Sequence, residues 1–187
     1  MMRAVERALL RTGAFKRWIG DERGVSAVEF ALLLPLLLIL YFGSVDLSQG
    51  ITADRKVTVT ARTIADLVSR TPSLTVTDMD DVLDAASSVM APFPVGNLKL
   101  TVSSVKIDGD GNATVDWSRS LNGTAHSHGD PVTLPSALVI KNSSLIWSEA
   151  EYLYQPVVGY VITGNLTLTD QLYMSPRKSE SVIYPAS

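Results

Sequence analysis

From Val25 to Val45 the chain has twenty-one residues, and the only acid or base among them is Glu29. Coiled as a helix, that run is about 30 Å long at roughly 1.5 Å per residue, which matches the hydrocarbon core of a bilayer. No other feature constrains the fold as strongly. In a chain of 187 residues it leaves room for one modest further domain, not two. Within such a run a carboxylate is costly, by about 2.5 to 3.5 kcal/mol at mid-bilayer on insertion scales. Glu29 lies about one turn inside the boundary, where a side chain can still reach toward interfacial water. On that reading the acid is tolerated and has no task.

Charge gives the run a direction. Residues 1–24 hold six bases (Arg3, Arg7, Arg11, Lys16, Arg17 and Arg23) and three acids (Glu6, Asp21 and Glu22). A basic flank of this kind predicts a cytoplasmic N-terminus and places everything after Val45 on the opposite side. The formal net charge is −3, so the remainder is acidic, and no basic patch survives there to bind nucleic acid. There is no cysteine, which excludes disulfides, thiol catalysis and cysteine-bound metal. A cleaved secretory signal is the competing account, with Ser48-Gln49-Gly50 as a small-residue site. Signal cores usually run about 7 to 15 residues, and this run is nearer spanning length.

The residues at the start of the run are more specific. Gly24 precedes Val25-Ser26-Ala27-Val28-Glu29-Phe30, and the longer string is DERGVSAVEFALLLPLLL. This block resembles the N-terminus of the TadE/TadF family, the pilin-like proteins (pseudopilins) of the tight-adherence (Tad, Flp) pilus system. EAEYLYQP at 149–156 and YMSPRKSE at 173–180 also resemble C-terminal blocks of TadE-like proteins. The resemblance implies that a prepilin peptidase cuts after Gly24, making Val25 the new N-terminus and Glu29 the fifth mature residue. Phe30 stands where such proteins carry an aromatic. If cleavage leaves a free amine on Val25, Glu29 of a neighbouring subunit can pair with that cation inside the apolar assembly, recovering the cost of burial and setting subunit register.

Past the membrane run, apolar residues recur at helical spacing through Leu47, Ile51, Val57, Ala61, Ile64, Ala65 and Val68. One helix from about 25 to about 70 is expected, ending before Pro72, with Pro35 tolerated inside it. After a Ser/Thr-rich link at 71–77, Thr77-Asp78-Met79-Asp80 reads as a cap opening a second helix, with Met79, Val82, Leu83, Ala86 and Met90 on one face. Alternation at Leu98, Leu100 and Val102 slips by one at Val105 and Ile107, which predicts a bulge. DGDGN at 108–112 turns the chain, and Ala113, Val115 and Trp117 alternate on the return. A polar loop at 119–131, a short helical piece near 135–140 and strands near 144–154 and 164–174 complete the reading. The expected class is α+β: a long N-terminal transmembrane, pilin-like helix, a short accessory helix and a small antiparallel sheet.

Three constellations offer chemistry, each weakly. Asp108, Asp110 and Asn112 copy half a calcium loop, but a hairpin turn fits the context better. His126 and His128, the only histidines, have no third ligand beyond Asp130. Asp116, Ser118 and Ser120 match the D-x-S-x-S pattern of von Willebrand A metal sites, yet too few residues remain for that parallel-sheet fold, and Trp117 as a core anchor is the better reading. No nucleophile with a base in reach, phosphate loop or zinc helix appears.

The expected organisation is a leader at 1–24, a transmembrane segment at 25–45, a periplasmic continuation of the helix at 46–72 and a periplasmic α+β domain at 73–187. The expected function is that of a non-enzymatic pseudopilin in Tad pilus assembly, in the bacterial inner membrane. Its implied partners are the prepilin peptidase, other pilin-like subunits, the Tad inner-membrane platform and lipid, with no cofactor and no nucleic acid. The alternative is a membrane-anchored periplasmic ligand-binding or enzymatic module unrelated to pili.

Overall fold

The computed structural model describes residues 22–156 and 164–185. Nearly all of the leader, and the expectation that residues 1–22 are poorly ordered, lie outside the described residues apart from the last few. The structure divides at Val45 into two units, and the first helix, α1 (Glu22–Ser69), contributes to both.

In the first unit every residue from Val25 to Phe42 is exposed. Pro35 lies inside α1 without ending it. This is the one helix among the described residues long and apolar enough to cross a membrane, with a mean hydropathy of 2.3 over its most apolar 18 residues. Ser44 returns its hydroxyl to the carbonyl of Tyr41, so that its polar group is satisfied within the helix itself.

The second unit packs the rest of α1 and a second helix, α2 (Val76–Met90), on a four-stranded antiparallel sheet. Its strands are β1 (Leu98–Ile107), β2 (Ala113–Leu121), β3 (Ser143–Tyr154) and β4 (Leu166–Met174), in the order β2-β1-β3-β4. The core lies between helices and sheet. From α1 it takes Ala53, Val57, Ala61, Ile64, Ala65 and Val68, and from α2 Met79, Leu83, Ala86 and Met90. Both sets repeat at the helical period, as one buried stripe requires. The α+β class is as expected.

Four details differ from the sequence reading. Leu47 and Ile51 are exposed, at 56% and 48%, while Asp46, Gly50 and Ala53 face inward. The buried stripe is therefore one position, about 100° of helix, away from the face those two apolar residues suggested. The cap of α2 is Thr75, not Thr77: its hydroxyl accepts from the Asp78 N–H, and the Asp78 carboxylate accepts from the Thr75 N–H. The irregularity at Val105 is real, but β1 runs unbroken against β3, and the extra residue is Asp116 of β2, between the pairs Ser104–Trp117 and Val105–Val115. Ala113 and Trp117 therefore serve different clusters, although simple alternation put them on one face: Trp117 joins the main core, and Ala113 joins Val105, Ile107 and Leu145 in a smaller one. Finally, β2 runs on to Leu121, three residues into the expected polar loop.

A strap at 175–185 closes the unit. The Arg177 N–H donates to the Ser69 carbonyl at the end of α1, and the Arg177 guanidinium meets Asp66 at 2.9 Å. Val182 is fully buried, its carbonyl accepts from the Trp117 indole N–H, and Ile183 exchanges backbone bonds with Pro72 and Leu74.

Candidate functional site

Gly24 and Val25 are the third and fourth residues of α1, and Glu29 and Phe30 follow one turn later. Val25 and Phe30 are 59% and 57% exposed. Val25 and Glu29 are four apart, so they share one face of the helix. All four residues lie in the first unit, and no ion pair of Glu29 occurs among its described residues.

The three weak constellations resolve into structure. The Asp108 carboxylate accepts from the amides of Asp110, Gly111 and Asn112 and from the Asn112 side chain. The Asn112 bonds first, then those turn amides, hold it below the usual carboxylate range. Gly111 has φ of +97°, which a residue with a Cβ rarely adopts. This is a self-capped hairpin turn. Asp116 pairs with Lys106 at 2.7 Å, while the Ser118 and Ser120 hydroxyls bond to their β1 neighbours Ser103 and Thr101. Trp117 is the core anchor, 6% exposed. His126 and His128 do not converge: His128 bonds the Asp116 carbonyl, and His126 reaches Glu149 at 2.6 Å.

That last contact belongs to a groove that the sequence reading did not find. On the sheet face opposite the helices, the outward residues of β1 and β3 place Lys99 beside Glu151 at 2.7 Å and His126 beside Glu149. Thr169 and Gln171 of β4 and Thr124 of the loop after β2 complete a cavity of about 460 Å³. At its edge His126 stacks on Trp147 with ring centres 4.8 Å apart and planes at 14°, and Trp147 stacks on Tyr173 at 5.9 Å and 12°. Burial pushes the pKa of the Tyr173 hydroxyl up, and the nearby Glu149 charge adds to it. The signal was present in the sequence: Trp147, Glu149 and Glu151 alternate with the buried Ile146, Ser148 and Ala150. Polar residues on the outer face of a two-sided sheet are ordinarily just solvated, so alternation alone did not single them out.

No curated protein and no solved structure matches the chain. The family model described as TadE-like protein matches residues 24–66. The matched stretch begins at Gly24, contains Val25, Glu29 and Phe30 and ends within α1, short of both C-terminal blocks. Over residues 24–66 this chain is similar to TadE-like proteins.

Proposed function

We propose that the chain is a pseudopilin of a Tad-type pilus system, anchored in the bacterial inner membrane by α1 with residues 46–187 in the periplasm, and matured by a prepilin peptidase that removes residues 1–24. The observation that carries this reading is a coincidence of position. The TadE-like stretch begins at the Gly24–Val25 bond, at the head of a helix whose largely apolar surface is bare from Val25 to Phe42, with Glu29 its only acid or base. A surface of that kind needs lipid or other apolar helices around it. Gly24 leaves the scissile peptide unhindered, and a glycine in the first turn of a helix opens at little cost.

Cleavage there creates a cation at Val25. In an assembly of such helices the Glu29 carboxylate of a neighbouring subunit neutralises it, which offsets the burial of both charges and fixes axial register. The partners in this reading are other pilin-like subunits, the Tad inner-membrane platform and lipid. The test is the intact mass of the protein purified from membranes. Loss of residues 1–24 is expected, and Gly24→Val is expected to leave the full mass. A Gly24→Val protein that still matures to the same mass would refute the assignment.

A further inference from the structure

We propose that the groove on the outer face of the sheet is a binding site for a neutral saccharide. The inference is independent of maturation at Gly24 and rests on the second unit alone. A volume of about 460 Å³ lies within the range of small-ligand sites, roughly 300 to 1,000 Å³. The floor is rigid, because its side chains stand on the fully paired central strands β1 and β3.

The chemistry of the lining selects the ligand. Glu149 and Glu151 are each oriented by one partner, His126 and Lys99, and a carboxylate offers about four lone-pair sites, so each keeps acceptor capacity free. Gln171 adds an amide NH2 that donates, its oxygen already accepting from the Trp147 indole N–H and the Tyr173 hydroxyl, and Thr101, Thr124 and Thr169 add hydroxyls. Vicinal sugar hydroxyls donate and accept at close spacing, which is what carboxylate and amide pairs match. Of the stacked rings His126, Trp147 and Tyr173, His126 lines the cavity and supplies an aromatic surface for the apolar face of a pyranose.

Other ligand classes fit less well. With Asp170, the lining has three carboxylates to one lysine, and that lysine is already paired, so phosphates and acidic sugars are repelled. Among the described residues no group of three metal ligands converges. Ala150 is the only apolar lining residue with a side chain, too little for a lipid tail.

The experiment is binding to the full chain in phosphatidylcholine nanodiscs, which avoids detergents with sugar headgroups, read by saturation-transfer NMR and calorimetry. The probes are chitotriose and maltotriose, with glucosamine and galacturonate as charged controls. Saturable binding of at least one neutral oligosaccharide is expected, with galacturonate weaker. Glu151→Gln and Gln171→Ala are each expected to weaken it at least tenfold while leaving the thermal midpoint unchanged; Gln171 is exposed, so its loss leaves folding intact even if Glu151→Gln perturbs it. No saturable binding of either neutral probe, binding of glucosamine alone, or undiminished affinity in Gln171→Ala would each overturn the proposal.

Discussion

Thr75 and Asp78 show what a single residue decides in this fold. Thr75-x-x-Asp78 and Thr77-x-x-Asp80 both have the form of a capping pair, and only the first is used. The difference is in the flanks. With Thr75 as cap, the preceding residue Leu74 and the fourth helical residue Met79 are both apolar, and both are buried in the core. With Thr77 as cap the corresponding pair would be Val76 and Asp81, which cannot pack together. The start of α2 was therefore readable from the sequence, given attention to the apolar staple as well as the polar box. Asp78 accepts from both the hydroxyl and the N–H of Thr75, and these bonds hold its carboxyl below the ordinary value. A group whose folded pKa is depressed stabilises the fold above its unfolded pKa, about 3.9, and that contribution is lost as pH falls through the folded value. Asp78→Ala is expected to be less stable than the parent at neutral pH, with the gap narrowing as pH falls below about 4. Urea unfolding at a series of pH values checks this; a gap that stays constant would refute it.

Along the elements, period was easier to read than phase. The spacing of apolar residues gave the existence and extent of α1, because Val57, Ala61, Ile64 and Val68 repeat at the helical period, but Leu47 and Ile51 repeat equally well one position round. Only packing against β1 and β3 distinguishes the two stripes, and that packing is not written in local sequence. The consequence can be measured. Ile64 is fully buried, so Ile64→Ala is expected to cost about 2 to 5 kcal/mol in urea unfolding. Ile51 is 48% exposed, and Ile51→Ala is expected to stay within about 0.5 kcal/mol of the parent. Equal losses at the two positions would mean that the buried stripe is misassigned. The sheet taught the same lesson. The slip at Val105 showed in the sequence, but the extra residue, Asp116, sits on the partner strand, where simple alternation of Ala113, Val115 and Trp117 hides it. The groove was harder still, since its residues come from three strands and a loop and meet only once the register is set.

At the scale of the whole molecule, the two accounts of Glu29 predict different phenotypes. If the acid only tolerates its place, Glu29→Ala removes an insertion cost and leaves pilus production intact. If it pairs with the Val25 amine of another subunit, both Glu29→Ala and Glu29→Gln leave membrane insertion and cleavage largely normal but fail in assembly, because either change leaves a buried amine without its counter-ion. We expect the second result, scored by pilus counts at matched protein levels; wild-type counts in Glu29→Ala would show that the pairing idea is wrong. The strap adds a constraint on timing. Trp117 waits for Val182, Leu74 for Ile183, and Asp66 for Arg177, so the closing bonds join residues between about 65 and 111 positions apart. Long-separation contacts of this kind form late. In the proposed reading, the apolar segment emerges during synthesis and enters the bilayer while the sheet still lacks its last fastening. The proposed anchor is thus in place before the domain that follows it finishes folding.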